Sequence, residues 1–379
     1  MNMRGNALRR NNVLILTGSF YPAQEGGPTI TMYWLAAGLA KIGYSVRVLA
    51  STKGLNNKYP ADQWVPMMGF DVLYRSPSIS KRILYQEYAS CDCVITSGVC
   101  HIITHLRIFF LILMGKRVVL SPRGELFKPA IFHKGVLYGC FKVFFFRLLG
   151  VLYGNKITYH ATSTEECNQI HHLMGKRRIV ATIPNYMILP ERIPSEKVSG
   201  NYDYLLYVGR IAPIKALDKL VEALSLSHEF MSGKVLLQVV GDNIGDYYEH
   251  LCRLVAEKKM TDRVVFRGVL LGEKKEECIA NAKYLVLVSD SENFGNVVIE
   301  SLAQGTPIVA SFGTPWQVIE KNNAGFWVSN NPVILAKTID RILTIGNDDY
   351  MQQRCNALKL AKSFDVFNNI EVWSKVIES

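Results

Sequence analysis

Acidic side chains are scarce at the front of this sequence. Residues 1–200 hold 24 Lys and Arg against 10 Asp and Glu, whereas residues 201–379 hold 19 against 22. The net charge of +11 therefore belongs to the first half, where it suits an anionic ligand or surface. No uncharged apolar run approaches the ~18 residues that span a bilayer. "IFFLILMG" (108–115) and "VFFF" (143–146) come nearest, and both are flanked by Lys or Arg. The basic start "MNMRGNALRRNN" leads only into "VLILT", too short for a signal-peptide core. Cysteines number eight and lack a metal-like spacing: Cys91 and Cys93 have no second pair to complete a zinc site. They read as free thiols in a reducing compartment. Low-complexity tracts and short-period repeats are absent. These absences lead to an expectation of a cytoplasmic protein able to touch the inner face of the cytoplasmic membrane.

What is present reads as a globular α/β chain. At 379 residues it is long enough for two cores. Apolar runs such as "NVLILT", "SVRVLA", "FDVLYR", "DCVITS", "KRVVLS" and "ITYHATS" alternate with helical patterns, the arrangement of a parallel sheet covered on both faces. The pattern restarts after "IPNYMILPERIPSEKVSGNYD", a proline-bearing linker, with "YLLYVG", "KVLLQVVG", "RVVFRG", "KYLVLVS" and "TPIVAS". The expected fold is two doubly wound, Rossmann-like α/β domains, residues 1–190 and 200–365, facing a central cleft. Ligands bind such sheets beyond the C-terminal ends of their strands.

Two motifs in the second half carry chemistry. "GRIAPIK" puts Gly209, Arg210 and Lys215 at one strand end, where two cations can grip a diphosphate, Arg as a fork and Lys as a point charge. Two solvated surface charges are the plain alternative. "SENFGNVVIE" places a turn at Gly295 before a helix starting near Asn296, whose free N–H groups suit a phosphate. Glu292 stands before that turn and Glu300 one helical turn after it, among apolar residues. Two carboxylates flanking one phosphate site can each take the hydroxyls of one sugar of a nucleotide-sugar. An acidic N-terminal residue plus a buried structural Glu is the alternative, and it fits Glu292 better than Glu300.

These elements together, "YVGRIAPIKALDKLVEAL" and "SDSENFGNVVIESLAQGTPIVAS", resemble the retaining glycosyltransferases of family 4, which have the GT-B fold. The resemblance covers nearly the whole chain and is sharpest over 204–330. It implies that Arg210 and Lys215 bind the donor diphosphate, with Glu292 on the donor sugar as the third catalytic residue. Glu300 would hold the ribose, backbone at Phe294, Gly295, Asn296 and Val297 would meet sugar and phosphates, and the base would lie near Gly268 and Val269. Asn296, Pro315 and Trp316 would shape the sugar pocket. In the first half, "SFYPAQEGGP" resembles the family's Gly-rich loop, with Gly26 and Gly27 near the diphosphate and acceptor. "VVLSPRGELFKPA" resembles a motif that in relatives often carries His; here Arg123, followed by Gly124, stands there, as in a branch of bacterial polysaccharide transferases that reads Ser-Pro-Arg-Gly. "HATSTEE" resembles a Thr-Ser-x-x-Glu element, with His160 a candidate that reads better as a core histidine, and Asn185 of "TIPNYM" is a candidate cleft residue. The C-terminal helix, about 366–379, would pack back on the first domain.

The resemblance implies retention at the anomeric carbon with no enzymatic nucleophile, so positioning and charge stabilisation matter most. It implies no cofactor and no metal, and no isolated Asp-x-Asp lies at a strand end. The partners are a nucleotide-sugar and a lipid-linked glycan acceptor in bacterial surface polysaccharide (O-antigen, capsule or exopolysaccharide) synthesis, with no nucleic acid. "THLRIFFLILMGKR" (104–117) and "KGVLYGCFKVFFFRLLGVLYGNK" (134–156) leave two readings open. They either bury their apolar faces on the sheet or lie in an anionic membrane interface, and both hold together if the apolar side faces inward and the basic rim outward. Competing functions are a soluble-acceptor transferase, a nucleotide-sugar epimerase, a basic nucleic-acid binder and a dinucleotide oxidoreductase. The last lacks Gly-x-Gly-x-x-Gly after either first strand. The nucleic-acid binder lacks a binding motif.

Overall fold

The computed structural model describes residues 11–23, 27–55, 59–190 and 204–379. Two compact units form, one from residues 1–188 together with 365–379, the other from 189–364.

The first unit is built on eight strands: β1 (Asn12–Leu16), β2 (Ser45–Ser51), β3 (Trp64–Pro66), β4 (Asp71–Arg75), β5 (Cys93–Ser97), β6 (Arg117–Ser121), β7 (Thr158–Ala161) and β8 (Val180–Thr182). They lie in the order β3-β4-β2-β1-β5-β6-β7-β8. All pairings are parallel except β3 against β4. Alternate side chains explain the apolar runs. Val13 and Ile15 enter one core with the helix Gly27–Lys41, while Leu14 and Leu16 enter another with the helices Ile102–Leu113, Val136–Tyr153 and Thr164–Met174. The C-terminal helices Val366–Asn369 and Val372–Glu378 complete the first core through Val366, Ile370, Trp373 and Ile377. The fit is close: a Cβ on Gly38 would lie 2.6 Å from Val366 Cγ2.

The second unit has six parallel strands: β9 (Tyr204–Val208), β10 (Leu236–Val240), β11 (Val264–Gly268), β12 (Tyr284–Leu287), β13 (Ile308–Ser311) and β14 (Gly325–Val328). Their order is β11-β10-β9-β12-β13-β14. The chain winds outward from β9 to β11, then returns to β12 beside β9 and winds the other way. The topological switch therefore falls between β9 and β12, where loops diverge and leave a crevice beyond the strand ends. The corresponding switch in the first unit falls between β1 and β5.

Among the described residues one helix, Val136–Tyr153, is long and apolar enough by length and composition to cross a membrane, and only 33% of it is buried. Its apolar residues are not all turned inward, so neither simple burial nor an inward apolar side with a basic rim outside describes it. Gly139, Phe146, Leu149, Gly150 and Tyr153 face the core, and a second apolar stripe faces outward. Both sides of this helix are greasy, so composition could not show which side the sheet would take.

Candidate donor and acceptor sites

At the switch point of the second unit, the turn after β9 carries Lys215 and the loop after β12 carries Glu292. The Lys215 ammonium pairs with Glu292 Oε2, and both side chains are largely buried. Backbone bonds bring them together. Asp290 N–H donates to Ile214 O at 2.9 Å, tying the two loops, and Glu292 N–H donates to Gly313 O at 2.8 Å. Ser289 Oγ also donates to Glu292 Oε2 at 3.4 Å. Ala216, which caps the 3₁₀ turn Pro213–Lys215, takes a left-handed conformation at φ 53, an unusual cost for a residue with a Cβ.

Arg210 leaves the end of β9 with an exposed side chain. Its guanidinium makes no ion pair or hydrogen bond among the described residues, so it is available to an anion. It lies near Tyr207, whose hydroxyl donates to Arg210 O at 2.8 Å. Burial pushes that phenol well above its ordinary range, the Glu292 charge adds to the rise, and Arg210 opposes it.

The helix Asn296–Ala303 starts at Gly295, in left-handed conformation at φ 81 with no side chain capping the helix. A Cβ there would lie 3.0 Å from Leu287 Cδ2 and 3.2 Å from Glu292 Cγ, so glycine serves both the turn and the close approach to the carboxylate. The first N–H groups of this helix and its positive dipole end suit a phosphate. Phe294 is buried against Trp316, ring centroids 5.0 Å apart, and Trp316 Nε1–H donates to Phe294 O. Trp316 is 1% exposed. The expectation that its side chain lines a sugar pocket is therefore corrected: the indole props the Phe294–Gly295 turn from beneath, while Pro315 is exposed.

Glu300, one turn into the helix, pairs with Lys275 Nζ through both oxygens, at 2.9 and 3.0 Å. Lys275 lies on the helix Gly272–Asn281 and was not singled out in the sequence. It stands in the charged run "EKKEE", where nothing distinguishes one lysine from its neighbour. Asp290 is likewise held by Lys219 at 2.5 Å and Asn330 at 2.7 Å. Gly268, at φ 70, ends β11, and Val269 after it is exposed.

In the first unit, Arg123 follows β6 in a left-handed conformation at φ 56. Its guanidinium donates to Asn185 Oδ1 at 2.5 Å, so two of the expected acceptor residues meet. Arg123 Nε is buried without a partner. Burial lowers the guanidinium pKa to about 10, against the pull of Glu166, which leaves it charged near neutrality. Glu166 is fully buried, and its Oε1 accepts the N–H of Gly124 at 2.7 Å. Its Oε2 accepts Thr162 N–H at 2.8 Å and Thr162 Oγ1 at 2.9 Å. Ser163 caps the helix Thr164–Met174 and accepts from Glu166 N–H at 3.2 Å. This is a variant of the capping box in which the acid takes the N–H of Thr162, one residue before the N-cap, and also reaches across to the β6 loop. Sequence reasoning quoted this Ser-x-x-Glu spacing but gave Glu166 no role. It also passed over Glu125, whose Oε2 accepts the N–H groups of Val99 and Cys100 at 2.5 and 2.8 Å.

His160 is placed differently from a cleft residue. It is 1% exposed, with Nδ1 2.7 Å from Ser121 Oγ and Nε2 2.9 Å from Ile183 O, and its ring lies 4.6 Å from that of Trp373. Both nitrogens are occupied by the core, so His160 is removed from the acceptor candidates. Its pKa falls to about 3, through burial first and the Arg123 charge second. Gly27 begins the helix Gly27–Lys41, whereas Gly26 lies outside the described residues.

Residues 190–359 match the family model described as glycosyl transferases group 1. An uncharacterized glycosyltransferase of Methanocaldococcus jannaschii is 32% identical over 149 residues, 39% of this chain and 37% of that protein. The matched segments span about a third of the length of such curated relatives. The Anabaena protein HepE, solved in complex with UDP-glucose, superposes with a TM-score of 0.73 at 16% identity, covering 98% of this chain and all of that one. WaaG, a glycosyltransferase involved in lipopolysaccharide biosynthesis, superposes with a TM-score of 0.64 at 18% identity, covering 96% and 99%. Two parallel-sheet α/β units on a chain with the GT-B fold, the second matching glycosyl transferases group 1, are thus established for this protein.

Proposed function

We propose that the protein is a glycosyltransferase that moves a sugar from a nucleotide-sugar to a hydroxyl of a glycan acceptor with retention at the anomeric carbon. The observation that carries this reading is the cluster at the β9/β12 switch point. Lys215 and Glu292 are paired there, the Arg210 guanidinium makes no ion pair or hydrogen bond among the described residues, and a helix with no side-chain cap begins after Gly295, between Glu292 and Glu300 in the sequence. The family match over 190–359 supports the reading.

In this scheme the donor diphosphate meets Arg210, Lys215 and the helix N–H groups. Glu292 takes hydroxyls of the transferred sugar and Glu300 takes the ribose diol. The bond from the anomeric carbon to the diphosphate oxygen breaks as the acceptor oxygen approaches the same face. The departing diphosphate accepts the acceptor's proton, and the cations stabilise the charge that grows on it. Every step is served by residues of the chain, with no metal and no cofactor. The Arg123–Asn185 pair offers a cation to an acceptor, which we read as a lipid-linked glycan of a bacterial surface polysaccharide, extended on the cytoplasmic side.

Saturation-transfer NMR with UDP-, GDP-, ADP- and dTDP-sugars tests the donor site. One nucleotide-sugar should bind the wild type and be lost in Glu300→Ala. Binding of none of them, or equal binding by the variant, defeats the reading.

A further inference from the structure

The first unit carries an apolar face that no described residue covers. Along the helix Ile102–Leu113, the side chains of Ile102, Ile103, Leu106, Phe110 and Leu113 are all exposed, Leu113 by 86%. Along Val136–Tyr153, Leu137, Phe141, Phe144, Leu148 and Val151 are exposed, Leu137 by 89%. Each set follows three- and four-residue spacing, one stripe per helix. The helices pack side by side, with Tyr153 Oη 2.6 Å from His105 Nδ1 and the Phe109 and Tyr153 rings 5.2 Å apart. Scattered exposed leucines are ordinary, but two adjoining stripes on one unit are not.

Charge selects what covers them. Between residues 98 and 156 stand nine Lys and Arg and a single acid, Glu125. That acid is turned to the amides of Val99 and Cys100. Lys128, Lys134, Arg147 and Lys156 are exposed around the apolar stripes. A second copy of the chain would set these cations against their own kind, a repulsive arrangement for a twofold contact. The sequence 191–203, "ERIPSEKVSGNYD", has no apolar stripe to offer. Anionic lipid satisfies both features, with acyl chains for the stripes and headgroups for the cations.

Depth is fixed by the other side of the long helix. A Cβ on Gly150 would sit 2.1 Å from Met174 O, and one on Gly139 would sit 2.0 Å from the Phe132 ring. The Lys142 ammonium is bound inward to Ala130 O at 3.2 Å. The helix is locked to its unit by small residues along one side and cannot leave to span a bilayer without losing that packing.

We propose that the outward faces of Ile102–Leu113 and Val136–Tyr153 form a docking surface for an anionic lipid bilayer, lying in its interface without crossing it. The proposal stands apart from the donor chemistry, because it rests on the first unit and is tested without a sugar. The full chain is to be sedimented with vesicles of phosphatidylcholine alone, or of phosphatidylcholine with phosphatidylglycerol. The expected result is binding to the anionic vesicles that weakens as NaCl rises to ~0.5 M and is released by alkaline carbonate. The double variant Leu137→Glu/Phe144→Glu, altered only at exposed positions, should lose roughly tenfold or more of its vesicle partitioning. Its melting temperature and nucleotide-sugar binding should be those of the wild type. Wild-type protein left in the supernatant overturns the proposal, as does a variant that still sediments. A carbonate-resistant pellet, or a dimer in light scattering that the double variant abolishes, assigns the face to a span or to a second copy and overturns it equally.

Discussion

The carboxylate of Glu166, with no exposure to solvent, accepts the backbone N–H of Gly124 at 2.7 Å. A side chain at the start of one helix thereby fixes the loop after β6 from which Arg123 extends. Glu166→Gln keeps the shape but offers an amide where an acceptor is needed, leaving at least one buried N–H unpaired. Urea denaturation should show a loss of about 1–3 kcal/mol, and the KM for acceptor should change more than kcat as the Arg123 loop shifts. Unchanged stability in this variant would show that the bond does not hold the loop.

Lys275 pairs with Glu300 from a neighbouring helix at 2.9 Å, and both side chains retain some exposure. A partly solvated pair contributes little to folding; on the proposed reading its value lies in the charge it presents to a ligand. Glu300→Gln should weaken nucleotide-sugar binding about tenfold or more, the scale of a hydrogen bond to a charged group. Lys275→Ala should weaken it by much less and leave thermal stability nearly untouched. Isothermal titration of both variants with the same donor separates a carboxylate that contacts ligand from one that merely pairs with lysine.

Gly295→Ala is expected to harm activity more than stability. The left-handed turn makes any side chain costly by about 1–2 kcal/mol, and the new Cβ would lie 3.2 Å from Glu292 Cγ. The turn shifts, and with it the carboxylate and the helix N-terminus. A fall in kcat/KM well beyond what the change in melting temperature explains is the expected outcome. Wild-type turnover would dissociate the turn from catalysis.

His160 gives the first unit a defined response to acid. Its folded value is lowered from 6.5 to about 3, so between those limits the unfolded chain binds a proton that the folded chain does not. Stability is therefore unaffected above the ordinary histidine range and falls as pH drops below it, by about 2 kcal/mol at about pH 5. His105, lowered in the same direction by burial, adds to the slope. Denaturation midpoints of wild type and His160→Asn, followed from neutral to mildly acidic pH, should diverge, with the variant showing the shallower fall. Parallel curves would mean that the histidine already protonates in the folded state.

Much of the architecture is legible in the sequence because strands buried on both faces leave unbroken apolar runs. β1, β2, β5, β6 and the central strands of the second unit all announce themselves this way. The strands that escape notice are short edge pieces: β3 with its proline, β8, and the glycine-led β14. The grouping of Lys215, Glu292, Gly295 and Glu300, which we propose to be the donor side, could be anticipated because their spacing relative to strand ends is local information. Lys275, Glu125 and the role of Glu166 could not, since each meets its partner across a gap of 25 to 42 residues. Trp316 was misplaced for a related reason, whereas His160 read better as a core histidine from the start, and its 1% exposure bears that reading out. An aromatic or imidazole side chain at a strand end can turn either into the core or out of it, and only the packing decides. The outward stripes of the two first-unit helices show the same limit, as periodicity reveals a stripe without revealing where it points.

The first unit takes its last helices from residues 365–379, after the whole of the second unit has been passed in the chain. Val366, Ile370, Trp373 and Ile377 are buried in the core that also holds β1, and Trp373 covers His160. During synthesis, residues 189–364 form an uninterrupted stretch that can fold as soon as it emerges from the ribosome. The unit that is translated first must wait with part of its core uncovered. It is therefore the second unit that can be the earlier to mature, and a chain stopped short of residue 365 would leave the older half unfinished.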